Sequence, residues 1–153
     1  MFTIIRPIAA LALALLTAIA AQAWWPLYRP DWPVPAGFVI TMAVCGLVVG
    51  WGFLGARVDR RLWMTVFAAF QAVVLTALLA TLVFGIREVF VQGYRRRFRE
   101  PMEAVNGFFD FAASWLALAL ERDILVLLAV GALIVGVFVH LLHALFERRR
   151  LSR

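Results

Sequence analysis

Long apolar runs broken by short polar stretches set the layout of this chain. Four runs fall near the ~17–25 residues that an α-helix needs to cross the hydrocarbon core of a bilayer: residues 7–23, 37–56, 63–86 and 124–146. A helix satisfies its backbone N–H and C=O groups internally, which is the condition for crossing lipid. Residues 101–121 follow a different pattern. At 100° per residue, Glu103, Asn106, Asp110, Ser114 and Glu121 form one narrow stripe, with Val105, Phe109, Ala112, Leu116 and Leu120 on the opposite side. That pattern predicts a helix lying against a bilayer surface or against other helices. Asp110, near its centre, would cost about 2.5–3.5 kcal/mol if it were carried to the middle of the membrane. The fold class predicted is therefore an all-α integral membrane protein with a single domain over residues 1–153. It has four transmembrane helices and one amphipathic interfacial helix between the third and fourth.

The breaks and the small residues refine this layout. Residues 24–36 (WWPLYRPDWPVPA) hold four prolines and predict a non-helical connector, with Trp24, Trp25, Tyr28 and Trp32 at headgroup depth. In the second run, Gly46 and Gly50 form a Gly-x-x-x-Gly face, with Gly52 and Gly55 adding small positions and Cys45 adjoining it. Such faces let helix backbones approach closely, and contact within the chain is preferred here to a dimer seam. Ala132 and Gly136 repeat the feature in the last run, and Gln71 sits in the third as an amide expected to bond a neighbouring segment. Two readings fit residues 1–23. One is a retained span; the other is a secretory signal with Ala21-Gln22-Ala23 as its cleavage site. The aromatic pair that follows favours the retained span.

Composition fixes the class of partner. Hydrophobic residues make up 65% of the chain and mean hydropathy is +0.93, which excludes a water-soluble protein. The net charge is +6, and all 15 basic residues are arginine. Guanidinium forks suit oxyanions and lipid phosphates, although a GC-rich genome would also enrich arginine. The charges cluster at the ends of the apolar runs and not on a soluble basic face, so nucleic acid is not the expected partner. Anionic lipid headgroups are. The candidate contact for a headgroup or a small oxyanion is Arg95, Arg96, Arg97 and Arg99, just before Pro101. Four crossings place eight arginines on the side of the termini and seven on the other. The arginine tail after the last span and Arg6 before the first favour cytoplasmic termini.

Chemistry-bearing clusters are sparse. His140, His143 and Glu147 share a helix side at a spacing that a metal site would use, but no second cluster completes it, and interfacial side chains are the preferred reading. Glu103, Asp110 and Glu121 read as a solvated face and not as general acids. A lone Cys45 permits no intrachain disulfide. No catalytic, cofactor-binding or metal residues are assigned. A homo-oligomer could line a pore with Gln71, Thr76 and Thr81, which keeps a transporter or channel component as the alternative, beside a scaffold or accessory subunit for a membrane protein partner.

With these residues in place, the chain resembles the TrgA-like family of small bacterial inner-membrane proteins associated with tellurite resistance. The resemblance is carried by Gly46, Gly50, Gly55 and Arg57, and by the stretch from Tyr94 through Pro101, Met102, Glu103 and Ala104. Phe98 and Arg99 depart from the aromatic and acidic residues expected there. The resemblance implies a non-enzymatic inner-membrane protein that affects tellurite tolerance, and it brings no catalytic residues.

Overall fold

The computed structural model describes residues 5–58, 61–94 and 101–151. They form five helices: α1 (Ile5–Tyr28), α2 (Ala36–Val49, continued by a π-helical turn over Gly50–Leu54), α3 (Leu62–Tyr94), α4 (Pro101–Ala119) and α5 (Arg122–Leu151). Four of them are long and apolar enough to cross a membrane: α1, α2 with its π-turn, α3 and α5. The chain is thus a small all-α, multi-pass membrane protein, with α4 between the third and fourth spans.

Helices in lipid gain nothing from hiding apolar surface from one another, so close van der Waals packing must hold them together. The α1–α2 pair shows how. A Cβ built on Gly46 would meet Thr17 Oγ1 and lie 2.9 Å from the Leu13 carbonyl oxygen. One on Gly50 would lie 2.6 Å from Ala10 Cα, and one on Gly55 2.8 Å from Arg6 Cα. As the α2 position advances the α1 partner recedes, so the two helices are antiparallel in backbone contact. The spacing of these glycines is four and then five residues. The extra residue is taken up by the π-turn, in which Gly55 N–H donates to the Gly50 carbonyl (2.8 Å). Without it, Leu54 would face Arg6. The seam is intramolecular, and Gly136 repeats it between α5 and α3, where a Cβ would lie 2.9 Å from Val66 Cα.

Two packed regions result. One is built mainly from small and branched residues of α1, α3 and α5, including Ala9, Leu13, Ala69, Ala72, Ala132 and Val139. The other is aromatic and joins Trp24, Phe38, Phe84 and Trp115 from four helices. Trp115 is its hub, with ring centroids 4.0 Å from Trp24, 5.2 Å from Phe84, 5.1 Å from Phe111 and 5.9 Å from Phe38.

The proline-rich stretch departs from its sequence expectation in one respect. α1 continues through Pro26 to Tyr28, and the Arg29 N–H still reaches the Trp25 carbonyl (2.9 Å). Proline forfeits one donor near the helix end, a loss that spans tolerate when neighbouring helices pack around them. Pro30, Pro33 and Pro35 do lie outside helix, and Pro35 caps α2 in extended geometry (φ −69°, ψ 131°). Trp24 is buried in the aromatic region, and Trp32 is exposed.

Candidate functional site

α3 has 33 residues and is therefore about 50 Å long, well beyond a ~30 Å hydrocarbon core. α4 packs back along that excess. Its early residues Ala104, Val105 and Phe108 form a groove with Ile86, Val89 and Phe90 of α3. Its late residues Trp115, Leu116 and Ala119 meet α3 between Thr76 and Thr81. Gly85 gives Phe108 room, since a Cβ there would lie 2.5 Å from the Phe108 ring.

The docking face is offset by one residue from the face expected opposite the polar stripe. Phe108, Phe111, Trp115 and Leu118 turn inward, whereas Val105, Phe109 and Leu120 are exposed. α4 therefore has three faces: a docking face, an outward apolar face suited to lipid, and the polar stripe between them. On that stripe Asp110 is exposed, and the Ser114 hydroxyl donates to the Asp110 carbonyl (2.6 Å); Glu121, just past the end of α4, is exposed as well.

Where α4 closes on the bundle it borders a partly open cavity of ≈ 50 Å³. The cavity is lined by Thr17 of α1, Thr76 and Thr81 of α3, both tryptophans Trp24 and Trp115, and apolar neighbours from α2, α4 and α5. The three threonines are buried, and each donates its hydroxyl proton along its own helix: Thr17 to the Leu13 and Ala14 carbonyls (3.0 and 2.9 Å), Thr76 to Ala72 (2.8 Å) and Thr81 to Ala77 (2.8 Å). Trp24 is only 5% exposed, and its Nε1–H finds no acceptor among the described residues. A buried donor without a partner costs about 1–3 kcal/mol. The lining is thus neutral.

The other sequence candidates fall elsewhere. Arg95, Arg96, Arg97 and Arg99 lie outside the described residues. Gln71 bonds across a helix connection, accepting from Arg57 Nη1 (3.4 Å), while the Arg57 guanidinium sits 4.1 Å from the Phe53 ring. Thr76 and Thr81 are buried in the bundle while Gln71 is only half-buried, so the three do not share an outward face. Cys45 is buried in the aromatic region. Among the described residues no three His, Cys, Asp or Glu side chains gather as a metal-ligating group, so His140, His143 and Glu147 do not form one.

Sequence reasoning singled out neither Thr17 nor Trp115 and did not foresee the cavity. Its one legible signal was hydroxyl residues inside apolar spans; their convergence depends on helix register. Compared with models of known families, with curated proteins and with solved structures, the chain has no match.

Proposed function

We propose that this protein is a non-enzymatic component of the bacterial inner membrane that changes tolerance to tellurite. It would act through membrane organisation or a partner complex, with both termini cytoplasmic. The family reading rests on the resemblance around Pro101 and on the layout of spans. The observation that carries the non-transporting part is the uncharged cavity lining. Tellurite is a small anion, and burying it in an apolar bundle without a cation would cost far more than its contacts return. Cationic groups that could meet it, or a phosphate headgroup, lie outside the cavity: Arg29, Arg57, Arg61 and Arg122 stand at helix ends and Arg87 in the last part of α3, and the sequence adds Arg95, Arg96, Arg97 and Arg99. Each basic group near an anionic surface contributes about 1 kcal/mol, and membrane phosphates are always abundant, so headgroup binding is the role assigned to the cluster.

The test is a deletion strain complemented with the native gene, with Cys45→Ala, and with Arg95, Arg96, Arg97 and Arg99 all changed to Gln. Deletion is expected to shift the inhibitory concentration of tellurite. The native gene and Cys45→Ala should both restore it, because one packed thiol cannot cycle without a partner. The four-arginine variant should restore it poorly at normal protein level. An unchanged inhibitory concentration in the deletion strain defeats the tellurite reading. Full rescue by the arginine variant removes the cluster from the mechanism.

A further inference from the structure

An open groove runs along the outer flank of the α1–α2 pair, between the end of α1 and the start of α2. It is lined by Gln22, Val34, Ala36, Val39 and Ile40, and Gln22 is the one polar side chain among them. Gln22, Ala36 and Ile40 are exposed. The apolar run of α1 closes around Ala23, so the Gln22 amide stands where hydrocarbon gives way to headgroups.

The next turns of α1 place a cation over this groove. The Arg29 N–H donates to the Trp25 carbonyl (2.9 Å), so the helical bonding pattern reaches Arg29. Gln22 and Arg29 are seven residues apart, hence on one face and separated by about 10 Å along the axis. Arg29 is exposed, with its guanidinium 5.5 Å from the Tyr28 ring centroid and 5.9 Å from that of Trp32. Trp32 is tied back to α1, its carbonyl accepting from Trp25 Nε1 (3.1 Å). A guanidinium laid over rings still presents its N–H edge, the edge that binds phosphate oxygens.

We propose that this groove holds one glycerophospholipid with a zwitterionic headgroup. Its phosphate meets Arg29, a glycerol ester carbonyl accepts from the Gln22 amide, and one acyl chain lies along Val39 and Ile40. The depths agree: the interfacial layer is roughly 5–8 Å thick on each side of a bilayer, and two long side chains close the remainder of the spacing. The charge sets the headgroup. The connector over residues 29–35 carries one arginine and one aspartate, Asp31, and so has no net charge to favour an anionic lipid. A headgroup with a phosphate and an ammonium matches both. This site is distinct from the arginines at 95–99 and does not depend on tellurite.

The experiment uses the full chain purified in detergent, with native mass spectrometry counting the lipids it retains. Phosphatidylethanolamine, phosphatidylglycerol and diacylglycerol with the same acyl chains are each added at one concentration. The expected result is one retained phosphatidylethanolamine per chain, less phosphatidylglycerol and little diacylglycerol. Arg29→Gln removes a charge-assisted hydrogen bond and should weaken retention about 10-fold or more. Gln22→Leu should weaken it by a smaller factor. Ala36→Trp, which fills the groove from an exposed position, should abolish it, whereas Val126→Trp, at an exposed position on α5, should leave it unchanged. Diacylglycerol retained as well as the phospholipid, or retention indifferent to Arg29→Gln, overturns the proposal. Stronger retention of phosphatidylglycerol, or equal losses in Ala36→Trp and Val126→Trp, overturns it as well.

Discussion

Gly50→Ile protein will fail to accumulate in the membrane, while Gly52→Ile protein will accumulate normally. The two glycines are two residues apart and indistinguishable by composition. A Cβ on Gly50 would lie 2.6 Å from Ala10 Cα and 2.9 Å from the Ala9 carbonyl oxygen, whereas one on Gly52 meets nothing within 4 Å. The atoms in the way at Gly50 are backbone, which cannot swing aside like a side chain. Overpacking costs about 1–3 kcal/mol in cores that can adjust, and a rigid helix pair adjusts less than most. A loss of about 1–2 kcal/mol already changes the ratio of folded to unfolded protein about 5–30-fold. Gly50→Ala should already lower thermal stability in detergent, and Gly52→Ala should leave it unchanged or raise it slightly, since glycine within a helix costs about 0.5–1 kcal/mol relative to alanine. Equal effects at the two positions would mean that α2 does not meet α1 along this seam.

Trp115→Ala should release α4 and leave the four-span bundle standing. Trp115 is 7% exposed and touches rings from α1, α2, α3 and its own helix. Truncating a buried tryptophan costs about 3–5 kcal/mol. That exceeds what the remaining α4 contacts, chiefly Phe108 on Gly85 and Phe111, are expected to supply. The glycine seam and the alanine-rich packing of α3 on α5 do not involve Trp115 and should persist. Limited proteolysis is the readout: cleavage between residues 101 and 121 should appear in Trp115→Ala and be weak in Trp115→Phe. Phe109→Ala should match the native chain, because Phe109 is 64% exposed. Protection of α4 in Trp115→Ala, or release in Phe109→Ala, would contradict the docking face described above.

The contrast between Trp115 and Phe109 shows where the sequence stops being informative. Apolar length alone located the four spans, since lipid imposes a length that few other environments do. Pro101 and the polar stripe located α4. Periodicity, however, separates polar from apolar and cannot separate an apolar face that meets protein from one that meets lipid. α4 carries both, and only the structure tells the inward Phe108, Phe111 and Trp115 from the outward Val105 and Phe109. The Gly46–Gly50 face was legible from its spacing of four, but the alignment of Gly55 with it requires the π-turn, which no simple period encodes. Trp24 looked like an interfacial anchor because tryptophans at span ends usually are. It is buried because α4 folds back over it. The threonines of the cavity were visible individually, and only the register of α1 against α3 brings them together.

The arrangement as a whole stands or falls on whether α4 returns along α3 without crossing the membrane. Single cysteines placed in a Cys45→Ala background at positions 61, 103, 110 and 121 can be tested in intact cells with a membrane-impermeant thiol reagent. Glu103→Cys, Asp110→Cys and Glu121→Cys should all label from the periplasmic face, and Arg61→Cys only after the cytoplasmic face is opened. Labelling of Glu103→Cys and Glu121→Cys from opposite faces would make α4 a fifth crossing and contradict the fold.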